Sequence, residues 1–238
     1  MVSLSANGGV TSRRPGSIRG MFADIAPRYD LLNSILSLGL HRRWRRFAVS
    51  RWQAPPRALA LDIATGTGDF AAALAERAER VIGIDFCRPM LDLAARKLRG
   101  REVSLMAADA LAIPFADATF DVATVAFAQR NVADPGRLYA EIARVLKPPG
   151  TLLALEFARP QGGIGARLAW WYVRHLVPVI GGLIHRQAYR YLADSIAAFA
   201  APAETMRALT AAGFVDVVTR NLSGGVVVLF QAHRGGTP

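Results

Sequence analysis

The run A-L-A-L-D-I-A-T-G-T-G-D-F at residues 58–70 decides how this chain folds. It begins as a nearly unbroken apolar segment, passes through a glycine-containing turn, and continues into Ala-rich sequence. That is the pattern of a buried strand feeding the first helix of an open α/β sheet. Gly66 and Gly68 lack Cβ, so the backbone can adopt φ > 0 and a ligand can lie against it, near the N–H donors that open the helix. The stretch predicts a cofactor cradle.

The glycines alone fit two cofactor classes. Gly66-x-Gly68-x-x-Ala71 satisfies the G-x-G-x-x-G/A dinucleotide fingerprint, and Asp85 closes the next apolar run at a suitable distance. Carboxylates tilt the choice: Asp62 stands at the strand end, Asp69 inside the turn, and Asp109 at the close of a third strand. Negative charge crowding the turn repels a pyrophosphate and suits a cofactor carrying an ammonium and a sulfonium, which points to S-adenosylmethionine.

Outward from the turn, apolar runs and amphipathic segments alternate as in a doubly wound sheet. Strands are expected at Ala58–Ile63, Arg80–Asp85, Val103–Ala108, Phe120–Phe127 and Thr151–Phe157, and helices at Asp69–Arg77, Pro89–Arg99 and Gly136–Leu146. Their C-terminal ends bring Gly66, Asp85, Asp109, Gln129-Arg130-Asn131 and Glu156 to one edge, where such folds bind ligands. The chain then breaks the alternation. A helix over Pro202–Gly213 precedes strands at Val215–Leu222 and Gly225–Ala232, joined by Ser223-Gly224 as a hairpin.

Residues 18–54 read as short helices punctuated by Pro27 and Gly39, a lid over the sheet domain, preceded by a disordered tail at 1–17. Within the lid, His41–Trp52 mixes five arginines with Trp44, Phe47 and Trp52. The plainer reading is an amphipathic helix with its aromatics in the core and its arginines in water; the sharper one is a surface for nucleic acid or a membrane. The insertion at 158–201 places Leu168, Trp171, Tyr172, Leu176 and Val179 along one helical side. It is too often interrupted to span a bilayer, and reads either as a cap on an apolar substrate or as core packing.

At 238 residues with 52% hydrophobic and 20% charged composition, one α/β domain with a helical extension is expected. The net charge of +11 rests almost wholly on arginine, since Lys97 and Lys147 are the sole lysines. That bias is what a GC-rich coding sequence produces, so nucleic acid is not an expected partner. A single cysteine, Cys87, excludes an internal disulfide and a cysteine-based zinc cluster, and the four histidines show no ligand spacing.

These residues carry a resemblance along almost the whole length. M-F-A-D-I-A-P-R-Y-D-L-L-N from Met21, L-D-I-A-T-G-T-G-D, R-N-V-A-D from Arg130, R-V-L-K-P-P-G-T-L-L-A-L-E-F, A-Y-R-Y-L-A-D-S-I from Ala188 and N-L-S-G-G-V-V-V-L from Asn221 resemble the ubiquinone/menaquinone biosynthesis C-methyltransferases. The resemblance implies a class I methyltransferase fold, Rossmann-like, ending in an antiparallel hairpin. It implies S-adenosylmethionine contacts at Thr67 with Gly66 and Gly68, at Asp85, at Asp109 and at Ala110. This chain has Ala126 where the family often has a cofactor-contacting Ser. The implied reaction is methylation of a polyprenylated quinol ring, demethylmenaquinol first and a ubiquinone-pathway benzoquinol second. Arg130, at the end of the fourth strand, and Tyr29, in the lid, are the expected catalytic residues, with an ion pair to Asp134 or Glu141 as the structural alternative for Arg130; the expected location is cytoplasmic, peripheral to the inner membrane. A homodimer or a quinone-biosynthesis complex stays open, as do an RNA-binding methyltransferase and a non-catalytic scaffold.

Overall fold

A computed structural model of the chain describes residues 20, 23–24, 26–160, 163–177, 179 and 202–236. The expected tail at 1–17 lies outside the described residues, as do most of the insertion and the Tyr189-Arg190-Tyr191-Leu192 segment.

Strand β1 (Leu59–Ile63) is the axis of a seven-stranded sheet in the order β3-β2-β1-β4-β5-β7-β6. The parallel strands β2 (Arg80–Asp85), β3 (Val103–Ala107), β4 (Phe120–Ala126) and β5 (Leu146–Phe157) flank it, and β7 (Val227–Arg234) runs antiparallel between β5 and β6 (Phe214–Leu222). The doubly wound sheet with its closing hairpin stands as the sequence reads. Alternation along β1 sends Leu61 and Ile63 to one face and Ala60 to the other. On the first face they meet Leu138, Tyr139 and Ile142 of α5 (Pro135–Val145) and Leu209 of α7 (Pro202–Ala211). On the second, Ala60 meets α2 (Leu40–Ser50), α3 (Asp69–Leu74) and α4 (Arg88–Lys97). Each fully buried Leu, Ile or Phe contributes roughly 1.5–3 kcal/mol.

Several boundaries differ from expectation for local reasons. Helix α3 stops at Leu74, three residues early. The N–H of Arg77 turns back to the Leu74 carbonyl, and the Glu79 N–H then reaches Ala58 O, so the chain must tighten to enter β2. The hairpin turn is longer than Ser223-Gly224. Ser223, Gly224 and Gly225 all have positive φ, a run that carries the chain out of the extended ladder, so β7 opens at Val227. Strand β5 begins at Leu146, which pairs with Phe120 before a register shift brings Thr151 against Val122.

The lid is held by three kinds of contact. Apolar packing joins Ala26 and Leu32 of its first segment, which includes α1 (Tyr29–Leu36), to Cys87 and Met90. Trp44 of α2 donates from Nε1 to Ser223 Oγ at 2.9 Å, tying the helix to the hairpin turn. Tyr172, just beyond α6 (Ile164–Trp171), donates its hydroxyl to Leu36 O at 3.3 Å.

The plainer reading of α2 holds for most of its residues. Trp44, Ala48, Val49 and the following Trp52 are buried, while Arg42, Arg43, Arg46 and Arg51 face water. Arg45 departs from it, being buried, and so does Phe47, which is exposed. Core packing fails for the insertion's apolar side: Ile164 is 85% exposed, Leu168 65% and Val179 63%, and Trp171 is also open. In that segment Tyr172 and Val177 pack into the lid cluster, and Val173 packs against the cluster that holds Trp44 and Ala48. Among the described residues no helix is long and apolar enough to cross a membrane.

Candidate active site

The turn between β1 and α3 is built by Asp62. Its Oδ2 accepts the Thr65 hydroxyl and the Ala71 N–H at 3.0 Å, and its Oδ1 accepts the Thr124 hydroxyl from β4 at 2.7 Å. One carboxylate thus fixes both ends of the turn and the neighbouring strand. Burial pushes Asp62 up to about 6, against the hydroxyls of Thr65 and Thr124, the charge of Arg45 and the Ala71 N–H.

The two glycines serve different ends. Gly68 has φ of +83°, and a Cβ there would sit 2.6 Å from Leu98 Cδ1, so this position is fixed by packing against α4. Gly66 has φ of +56° with open space where a Cβ would be, so its backbone is the part a ligand can approach. Behind it, Asp85 accepts the Gly66 N–H on Oδ2 and the Cys87 N–H on Oδ1, each at 2.8 Å. Burial pushes the Asp85 carboxyl up, against the N–H groups of Cys87, Gly66 and Phe86. Two N–H bonds leave further lone pairs on this carboxylate for hydroxyl donors.

The lid closes on this turn through a chain of polar contacts. Asp30 accepts the Thr67 hydroxyl and pairs with Lys97 Nζ at 2.6 Å. Lys97 also pairs with Asp69, and His41 Nε2 stands 3.4 Å from the other Asp69 oxygen. Burial works to raise Asp69, but the His41 contact, Arg45 and Lys97 outweigh it and hold the carboxyl well below the usual range. A cavity lies beneath, lined by Tyr29, Arg45, Asp62, Gly66, Thr67 and Ala126 among others. The structure therefore brings together Tyr29, Gly66 and Thr67.

The remaining site residues stand farther round the edge. Asp109 is exposed past β3, accepting the Leu111 N–H at 2.8 Å, with Ala110 beside it. Arg130 sits in a 3-10 turn, Gln129–Asn131, after β4 and does not line the cavity. Its Nη1 donates to Phe127 O at 2.6 Å and to Glu156 Oε1 at 2.8 Å. The expected ion-pair partners, Asp134 and Glu141, are used elsewhere. Asp134 caps α5 by accepting the Arg137 N–H, and Glu141 pairs with Arg144. Arg130 and Glu156 are 7% and 2% exposed, and Arg130 Nε and Glu156 Oε2 have no hydrogen-bond partner among the described residues. Burial pushes Glu156 up, against the neighbouring Arg130.

Four contributors escape the motif reading. Phe127 holds φ of +58° and stacks with Phe157, ring centroids 4.6 Å apart. The Arg45 and Arg130 guanidiniums lie over these rings, 5.5 Å from Phe127 and 5.3 Å from Phe157 respectively. Asp30 and Lys97 form the latch, and of these Lys97 carries a sequence signal as a rare lysine in an arginine-rich chain. Arg45 carries another: it shares the helical phase of His41, Trp44, Ala48 and Val49.

The cradle fits a cofactor with a ribose and a charged tail. It offers open backbone at Gly66, a buried carboxylate at Asp85, and charged side chains in the cavity lining. Comparison with known proteins agrees. A demethylmenaquinone methyltransferase of Thermus thermophilus is 47% identical over 222 residues, covering 90% of this chain and all of that protein. A ubiquinone/menaquinone biosynthesis C-methyltransferase of Syntrophotalea carbinolica is 45% identical over 228 residues, covering 93% and 96% of the two chains. Among solved structures, a Thermotoga maritima S-adenosylmethionine-dependent methyltransferase superposes with a TM-score of 0.65 at 20% identity, covering 91% and 99%. The [4+2]-cyclase SpnF gives 0.66 at 18% identity over 95% and 97%, so this likeness speaks to fold alone. With the family model matching residues 10–234, the chain belongs to the ubiE/COQ5 methyltransferase family.

Proposed function

We propose that this protein is an S-adenosylmethionine-dependent C-methyltransferase of polyprenylated quinols, acting on demethylmenaquinol. Membership of the family along 10–234, with relatives of matching length named for that reaction, carries the reading. S-adenosylmethionine supplies, when bound, a methyl group on a sulfonium, open to in-line displacement by a ring carbon. Gly66, Thr67, Gly68, Asp85, Asp109 and Ala110 hold it, Asp85 by accepting ribose hydroxyls and Gly66 by letting it lie against the backbone.

On the acceptor side, the quinol hydroxyl must lose its proton so that charge reaches the ortho carbon. Arg130 is always charged, so it stabilises the phenolate or orients the water that removes the proton. Its Nε, buried without an acceptor, supports a role beyond the Glu156 pair. Tyr29, in the lid over the cavity, is the second acceptor-side residue. The exposed apolar side chains of α1 and α6, with the arginines of α2, support peripheral contact with an anionic membrane that holds the prenyl tail.

Purified protein with methyl-labelled S-adenosylmethionine is to be given a short-chain demethylmenaquinol and, in parallel, a benzoquinol acceptor. Methylation of the naphthoquinol with kcat/KM at least about tenfold above the benzoquinol is expected. Preference for the benzoquinol moves the substrate to the ubiquinone pathway, and labelling of neither overturns the reading. Binding to anionic vesicles is expected to exceed binding to neutral ones and to weaken with salt; indifference to both removes the electrostatic contact.

A further inference from the structure

Arg45 is the one group in the cavity lining whose chemistry the preceding account leaves unused. It comes from α2, not from the sheet edge, and it is 8% exposed. A guanidinium carries five N–H donors in a planar fork and desolvates at high cost unless they are engaged. One donor is spent: Nη1 bonds the His41 carbonyl at 3.0 Å. The Phe127 ring covers one face. Nε is buried and has no acceptor among the described residues.

The nearby acids do not take up that fork. Asp62 spends its oxygens on Thr65, Ala71 and Thr124, and Asp69 on Lys97 and His41. Both carboxylates feel the charge of Arg45, yet neither has a hydrogen bond to it. The cavity lining therefore holds a buried, underused cation together with two engaged carboxylates. A group that suits both kinds of charge carries an anion and a cation a few atoms apart, which is the chemistry of an α-amino acid.

We infer that Arg45 binds the α-carboxylate of the S-adenosylmethionine methionyl tail, so that the lid helix, and not the sheet edge alone, recognises the cofactor's amino-acid end. This rests on the methyltransferase reading and adds a specificity-determining residue to it. Forks of this kind recognise carboxylates bidentately, and a point charge replaces them poorly.

Calorimetric titration of the full chain with S-adenosylmethionine and with its decarboxylated analogue, which keeps both ammonium and sulfonium, tests the inference without any turnover. Wild type is expected to bind the intact cofactor roughly 10- to 100-fold tighter. Arg45→Gln should lose that preference, its affinity for the analogue changing by less than about threefold, and Arg45→Lys should recover only part of it. Equal wild-type affinity for the two ligands overturns the proposal without any variant, as does a parallel loss of both in a folded Arg45→Gln. If wild type binds neither, the cofactor reading itself has failed, and Arg45 falls with it.

Discussion

Two neighbouring regions of this molecule are made in opposite ways. At the Gly turn, Asp62, Asp69 and Asp85 are each met by named donors, and the lid is locked down by Asp30 and Lys97. On the side of α1 and α6, Leu31, Ile164 and Leu168, with Leu38 just beyond α1, are each more than half exposed. Directional bonds select one ligand geometry, whereas an open apolar surface accepts any hydrocarbon of suitable reach. A polar cofactor and a prenylated acceptor ask for that division.

The largest expected effect separates chemistry from folding at Arg130. Arg130→Ala leaves Glu156 buried without its cation, which should cost about 3–5 kcal/mol of stability and obscure any catalytic loss. The double replacement of Arg130 and Glu156 by Met removes both charges and should melt near wild type. If Arg130 stabilises the quinolate, the double variant still turns over about 10²- to 10³-fold more slowly in single-turnover methylation. Recovery of turnover along with stability assigns Arg130 to the fold.

A second test sharpens the polar side. Because the folded carboxyl of Asp62 is raised to about 6, unfolded chains ionise first as pH rises. Its contribution is therefore full below about pH 4 and declines through about pH 6, by about 3 kcal/mol in all. Against Asp62→Asn, which cannot titrate, the wild-type stability difference should fall across that window. Denaturant unfolding profiles that run parallel from pH 4 to 7 would refute the raised carboxyl.

Next comes the apolar side. Leu168→Ser with Trp171→Ser should lower partition onto anionic vesicles by about tenfold while the melting temperature moves little, because both side chains are exposed. A collapse in melting temperature would mean that they pack in solution after all. The smallest effect belongs to the latch: Lys97→Met should cost about 1 kcal/mol, because the pair with Asp30 is partly exposed and Asp69 keeps His41 and Arg45 beside it. Amide exchange over α1 should nonetheless quicken several-fold, and unchanged exchange would show that apolar packing alone holds the lid.

How much of this was legible depends on what each residue answers to. β1, β2 and the turn that follows β1 declare themselves because burial on both faces forces continuous apolar runs and the turn forces glycine. Asp85 followed from standing at a strand end. Glu156 was placed at the edge by the same logic, but that it would claim Arg130 could not be read, since the two lie 26 positions apart and meet only when β4 and β5 pair. The amphipathic reading of His41–Trp52 puts Arg45 in water with the other arginines, although its helical phase sets it beside Trp44 and Ala48. Phe127 carries no mark of its left-handed backbone, because an aromatic residue has no preference of its own for that region. The exposure of the α6 side chains was equally hidden: helical periodicity tells which residues share a side, not what covers them.

Helix α1 touches both regions, through Asp30 to Thr67 and Lys97 and through the Leu36 carbonyl to Tyr172. It is in effect a beam with a load at each end. Linkage then sets a reciprocity: whatever seats on the flank and favours the latched position of α1 must tighten the grip on the cofactor by the same factor that the cofactor tightens its own. If the proposed bilayer contact seats there, affinity measured in detergent-free buffer and affinity measured on a lipid surface would differ for one and the same polypeptide, with the bilayer acting as an effector.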